Sequence, residues 1–463
     1  MTAVAPKDAL AGLLKLAGHP ADALAAVELT GAEPALPSSF AVGTAAQTSI
    51  AASALAANEL WRLRTGRRQR VSVAMRDAAI EFRSERYMRV DGNPVGESWD
   101  KIAGLYRSGD GRFVRLHTNF PHHRDGMLKL LGCDYDRTAV QKALDGWEAE
   151  TFETAAAEAG VVATATRSFA EWDAHPQGQA VAKMPTFSIE RIGDAPAKPL
   201  PKGDRPLSGV KVLDLTRVIA GPVCGRTLAV HGADVMLITG PHLPSIPPLV
   251  VDSGRGKLSA SIDLRGPQGR DTLAELLRDA DIFVQGYRPG AIASHEFGPE
   301  AVAALKPGIV YVTLSAYGHT GPWAKRRGFD SLVQNANGLN IAEAEAFGAA
   351  QPKPLPAQAI DHASGYLLAF GAMTALARRA TEGGSWHVRV SLAQTGQWLR
   401  GLGRIDGIKA HDPDLADVAD RIEESASGFG KLTAVRHSAV MSETPPRWER
   451  PSVPLGTHPP AWP

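Results

Sequence analysis

The residue pattern predicts an α/β protein: an open, mainly parallel, Rossmann-like sheet with flanking helices, plus a smaller α+β domain. Three observations carry that reading. From Leu207 onward, strand-like runs alternate with helical runs of similar size, the mark of βαβ units. Between about Arg83 and Leu200 the texture changes to short alternating runs and short helices. A long apolar run after Leu355 repeats at helical spacing through Leu367, Phe370, Met373 and Leu376, then passes a Gly-Gly turn into a strand.

In chain order, residues 1–39 read as an amphipathic helix and a Pro-containing link. Residues 40–82 read as an Ala-rich helix, a Thr-Gly turn and a short strand at Val71–Val73. This unit shares its plan with the stretch around Leu376–Thr395, so it is expected to be a degenerate internal repeat belonging to the large domain. Two unrelated Ala-rich helix–strand units are the plainer account. Residues 83–191 form the small α+β domain, and 192–206, rich in Pro, Gly and charge, form a linker. Residues 207–403 supply strands in SGVKVLDL, ADVMLITG, KLSASIDL, DIFVQGY and IVYVTLSAYG. The polar stretch 404–463 ends in a Pro-rich tail, which should lie extended with Trp448 and Trp462 as anchors, or stay disordered.

Composition narrows the function. A net charge of +1 leaves no broad basic surface for nucleic acid. Two cysteines, Cys133 and Cys224, fit a reducing cytoplasm, and neither has a neighbour at metal-ligand spacing. His122-His123 has no carboxylate at motif spacing and reads as a solvated helix start. The longest apolar run is too short to span a bilayer, and the N-terminus lacks a signal-peptide pattern. A soluble protein without a metal site is expected.

Asp361 opens the long helix. An N-cap Asp accepts bonds from free first-turn N–H groups and is stabilised by the helix dipole. It should therefore be ionised and aimed out of the core. An ordinary cap is the plainer reading of that residue alone. Ligands in open α/β sheets bind beyond the carboxyl ends of the strands, which directs attention to TRVIAGP, VQGYRPG and SAYGHTGP. No G-x-G-x-x-G follows the first strand, so a nicotinamide site lacks its fingerprint. Ala220-Gly221-Pro222 lets backbone approach a ligand closely. Arg255 and Lys257, set among glycines, are suited to phosphate or to a charged turn. Tyr287 and Arg288 offer a flat ring and a guanidinium.

The runs PLSGVKVLDLTRVIAGP, HGADVMLI, RGKLSASIDLRGPQGR, DADIFVQGYRPGAI, LKPGIVYVTLSAYGHTGP, RRGFD and AIDHASGYLLAFGAMTALARR resemble family III coenzyme A transferases over about 207–400. The 40–200 part resembles the family's later half, so the halves look permuted. The resemblance implies an acyl-CoA:carboxylate CoA-transferase with Asp361 as nucleophile. Arg217, Ile219 and Ala220 would line the CoA cleft, and Arg255 and Lys257 would touch phosphate. Tyr287 and Arg288 would sit near the adenosine end, with Arg326 and Arg327 reaching the same phosphates. It implies no permanently bound cofactor, a CoA thioester and a carboxylic acid as substrates, and an interlocked cytoplasmic homodimer. A 2-methylacyl-CoA racemase of the same family is an alternative, disfavoured because Phe329 stands where the racemases carry a histidine. A non-catalytic CoA-binding protein is another. Ile219 replaces the glutamine of formyl-CoA transferase, and Ile238-Thr239-Gly240 replaces a charged strand end.

Overall fold

The computed structural model describes residues 3–97 and 99–463; the first two residues of the expected N-terminal segment, and Ser98 of the expected small domain, lie outside them. A seven-stranded sheet runs in the order Lys257–Ser261, Asp234–Thr239, Lys211–Leu215, Ile282–Gln285, Val310–Ser315, Ser385–Ser391, Phe187–Gly193. Every neighbouring pair is parallel except the last. The α/β class and mainly parallel sheet expected from the alternating runs are therefore present. Chain order reverses direction between Lys211–Leu215 and Ile282–Gln285. At such a switch point the following loops part and leave a crevice.

The helix Ala359–Glu382 carries Asp361 and is buried along most of its length. Its principal neighbour is another 24-residue helix, Val42–Thr65. The two begin alike: the residues preceding them, Ala41 and Gln358, have φ/ψ of −75°/61° and −74°/60°. Alignment of the two helix starts sets Thr44 opposite Asp361. Helices buried all round must be apolar all round, which explains their small-residue composition. Close packing has a steric condition. A Cβ on Gly371 would sit 2.5 Å from Val388 Cγ1, and one on Gly365 would sit 2.6 Å from the Ala220 carbonyl oxygen.

Two expectations are corrected. The strand Val71–Ala74 does not join the large sheet; it pairs with Val27–Thr30 and Ala439–Met441 in a separate three-stranded sheet. The stretch 404–463 also holds more structure than a tail. Ile422–Ser427 and Gly430–Val435 form a hairpin that pairs with Arg89–Val90. The final residues run extended, with Trp448 Nε1 donating to the Arg226 carbonyl (3.1 Å) and Trp462 Nε1 to that of Leu276 (3.0 Å). Residues 104–165 contain an antiparallel sheet of Gly104–Arg107, Phe113–Leu116 and Ala163–Ala165, with its own apolar core against the helix Ala149–Glu158. Among the described residues no helix is long and apolar enough to cross a membrane.

Gly365→Ala should force the long helix away from the helix Ala220–Val230, with overpacking costing about 1–3 kcal/mol. The measurement is the urea midpoint of the variant beside wild type; an unchanged midpoint would show that the two helices are not in close contact.

Candidate active site

At the carboxyl ends of the two switch-point strands lies a cleft of about 300 Å³. Its walls come from Leu215–Ala220, Gly286–Pro289, Arg326–Phe329, Asp361 and, from the other half of the chain, Phe120, His122 and His123. Arg288, Arg326 and Arg327 also line an adjoining recess of about 280 Å³, together with Lys325 and Gly160–Thr164. Among the described residues Lys325, Arg288 and Arg327 make no ion pair with an acid. Partial burial, and Arg288 beside it, hold the Arg327 guanidinium below its usual pKa. Cations gathered without counter-charges in a partly dry crevice form a place for an anion.

Asp361 sits in the cleft wall and is only 7% exposed. It is not the helix cap. The helix starts two residues earlier, and Asp330 Oδ2 accepts the Asp361 N–H at 2.9 Å. The expected capping role thus falls to a carboxylate from another segment, and this first-turn N–H is already occupied. The surroundings also oppose the ionisation expected of it. Burial, then the neighbouring Asp330 and Glu85, push the Asp361 carboxyl well above the usual carboxylate range. Asp330, fully buried, is raised to about 6 by desolvation despite the hydrogen bonds it accepts. Two buried carboxyls this close resist ionising together.

Of the residues the sequence singled out, Arg217, Ile219, Ala220, Tyr287, Arg288, Arg326 and Arg327 line the cleft with Asp361. Arg217 lies over the Phe120 ring (4.5 Å) and donates to the Pro244 carbonyl. Arg327 donates to the Gly160 carbonyl. Between Arg217 and Ile219, Val218 has φ +74°. That conformation is costly for a β-branched residue and is tolerated where surroundings over-determine it. It turns the loop so that Arg217 and Ile219 both meet the cleft.

Arg255 and Lys257 do not reach it. Both are buried and spent on the protein's own acceptors. Lys257 Nζ lies 2.8 Å from Asp214 Oδ2 and 2.8 Å from the Pro222 carbonyl oxygen, so it fastens the loop from behind. Arg255 stacks on Trp448 (4.0 Å) and donates to the Val435 carbonyl at 2.8 Å, tying down the C-terminal segment. Cations completed by internal partners have no donors left to offer a phosphate.

His122-His123 is not simply a solvated helix start. His122 is exposed and lines the cleft, whereas His123 is buried in its wall, and neither ring nitrogen of His123 has a partner. Burial, with His122 and His117 nearby, lowers His123 to about 3. Sequence reasoning also missed Phe120, Lys325 and Glu85. Asp330 stood in view within RRGFD, but nothing local showed that it caps a helix 31 residues away.

Residues 207–403 match the model of CoA-transferase family III. The chain is 31% identical over 334 residues to the acetyl-coenzyme A transferase nodX of Hypoxylon pulicicidum, covering 66% of this chain and 55% of the relative. It is 34% identical over 147 residues to the human succinyl-CoA:glutarate CoA-transferase, covering 29% and 34%. Among solved structures it is similar to that of Rv3272 from M. tuberculosis: 30% identity, 42% of this chain and 57% of that one, TM-score 0.40. The chain spans little more than half the length of the first curated relatives it matches.

Lys257→Ala should destabilise the fold by about 3–5 kcal/mol, because Asp214 is left buried without its partner. Arg288→Ala, by contrast, should stay within about 0.5 kcal/mol of wild type. Urea titration of both variants separates the internal cation from the cleft cation; equal stabilities would contradict their placement.

Proposed function

We propose that the protein is an acyl-CoA:carboxylate CoA-transferase with Asp361 as its nucleophile. The observation that supports this most is the single buried carboxyl in a largely apolar cleft whose other charged lining is Arg217, Arg288, Arg326 and Arg327. The match of residues 207–403 to the family III model supports it independently. Coenzyme A is polyanionic at one end and carries its reactive sulfur at the other. Arg288, Lys325, Arg326 and Arg327 would take the phosphates, with Tyr287 beside the adenosine. Leu215 to Ala220 would flank the pantetheine arm, bringing the thioester carbon to Asp361.

The chemistry follows from that placement. An ionised Asp361 oxygen attacks the thioester carbon, the C–S bond breaks, and CoA leaves as thiolate. The product is a mixed anhydride between Asp361 and the acyl group. The thiolate then attacks Asp361 Cγ, releasing the acyl carboxylate and leaving an aspartyl-CoA thioester. The incoming carboxylate attacks Cγ in turn and displaces thiolate. Attack of thiolate on the new acyl carbon releases the new acyl-CoA and restores Asp361. The raised pKa of Asp361 has two effects here. It lowers the ionised fraction at a given pH, and it makes the carboxylate that does form more basic. We also infer that the permuted order lets both halves of one chain wall the cleft. An interlocked homodimer stays part of the proposal, as does a cytoplasmic setting.

Hydroxylamine added with acyl-CoA should inactivate the enzyme and mark Asp361 by mass spectrometry, and Asp361→Ala should lower kcat by roughly 1,000-fold or more. An active sample with unmodified Asp361 would refute the reading. Arg327→Ala should raise KM for acyl-CoA with little change in kcat, measured in the same assay.

The pH dependence has a definite sign. Asp361 must lose its proton to act, and its pKa is raised, so kcat/KM should fall on acidification well above the ordinary carboxylate range. Asp330→Asn removes a neighbouring negative charge and should move that limb to lower pH. A limb that stays in place in the folded variant would show that Asp330 does not act on the nucleophile.

A further inference from the structure

Asp361 borders two cavities. Besides the basic cleft it lines a second one, of about 350 Å³, on the far side of Val218, Ile219 and Phe329, which line both. The two differ in character. Among the acids only Asp361 lines the cleft with Arg217, Arg288, Arg326 and Arg327, Arg326 lying 3.8 Å from Glu153 outside that lining. In the second cavity the balance reverses, with Glu85, Glu97, Asp330 and Asp361 against Arg86. Arg86 already lies 4.0 Å from Glu85 and is 40% exposed. Glu85 reaches His362 at 3.1 Å on its other side. The rest of the lining includes Ile246, Leu249 and the Phe329 ring, which stacks on His117 at 3.7 Å. Two uncharged polar atoms of this lining, Ser331 Oγ and His117 Nδ1, are buried without a hydrogen-bond partner. A buried, unpaired hydroxyl or imidazole is costly unless a guest completes it.

A thioester bound across Asp361 would keep its sulfur and phosphates on the basic side. Its acyl group must then project to the other. We propose that this second cavity is the acyl chamber, and that it admits neutral acyl groups and excludes those ending in a second carboxylate. The inference rests on Asp361 being the transferase nucleophile. Within the chamber a terminal carboxylate would give up water and face Glu85, Asp330 and Asp361 with only a shared Arg86 in return. One uncompensated like charge at about 6 Å, in an effective dielectric near 20, costs on the order of 100-fold in binding. A methyl, keto or hydroxyl terminus meets the apolar lining, Ser331 and His117 without that cost. The human relative is named for two dicarboxylates; this chain should differ from it in that respect.

Butyryl-CoA and succinyl-CoA test the proposal, because they share a chain length and differ at the tip. Hydroxylamine-dependent CoA release reads the first chemical step without needing the natural acceptor. Wild type should favour butyryl-CoA in kcat/KM by roughly 30-fold or more, and Glu85→Gln should narrow the ratio by about threefold or more. Equal use of the two thioesters by wild type overturns the inference while leaving the transferase reading intact. Release from neither overturns the nucleophile assignment, and this inference with it. A folded Glu85→Gln variant with an unchanged ratio overturns the role of Glu85. Should that variant fail to fold, the wild-type ratio decides.

Discussion

The hydrogen bond from the Asp361 N–H to Asp330 Oδ2 is the constraint on which the site depends. It joins the start of the long helix to the start of the helix Asp330–Ala336. It also places a second buried carboxyl beside the first. A helix mouth ordinarily favours a negative charge. Here one charge is already supplied by the cap, so the next carboxyl along finds the favourable field spent and a like charge close by. The same contact thus positions Asp361 and adds to the rise in its pKa that burial causes. Asp330→Asn, whose amide oxygen can still accept the N–H, removes the charge while leaving the contact.

The partner helix shows what that contact amounts to without a cavity. At the start of Val42–Thr65, the Thr44 N–H donates to Glu33 Oε1 at 2.6 Å, and Thr44 is the residue set opposite Asp361. Burial raises Glu33 as it raises Asp330. Yet the space in front is filled: a Cβ on Gly43 would meet Ala35 Cβ at 2.7 Å and Glu33 Oε2 at 2.8 Å. Two helices of equal length with equal entry geometry therefore end differently. One mouth is capped and closed by the 30–36 segment. The other is capped from the side and left open to two cavities, with a carboxyl in place of a hydroxyl. Capping alone does not open a helix mouth to a ligand; an unfilled volume against the third residue does.

Much of the sheet was legible because its strands are buried on both faces and read as short apolar runs between turn residues. Arg217, Ile219, Ala220, Tyr287 and Arg288 were legible as residues lining the cleft because switch-point loops follow directly from strand order. What local sequence could not show was which partner each charged group would find. Lys257 and Arg327 look alike as cations near glycines, but one meets Asp214 inside the fold and the other faces a crevice. Asp361 looked like a cap because its true cap is distant in sequence. His123 looked solvated because the Phe120 and Phe329 rings that enclose it come from either side of a 209-residue separation. The strand Ala439–Met441 was hidden for a similar reason, since its pairing with Val71–Ala74 spans most of the chain.

These placements bear on how one carboxyl can sit between two unlike compartments. The basic lining of the cleft favours an anionic ligand, whereas the acidic lining of the second cavity opposes one. Asp361 lies on the boundary, with Val218, Ile219 and Phe329 forming the rest of the partition. Val218 at φ +74° is the bend that lets this thin wall face both sides. A broader turn with an unstrained backbone would thicken the partition and withdraw Asp361 from one cavity. The strained residue, the buried carboxyl pair and the split in charge thus meet at one place, where Asp361, Val218, Ile219 and Phe329 line both cavities.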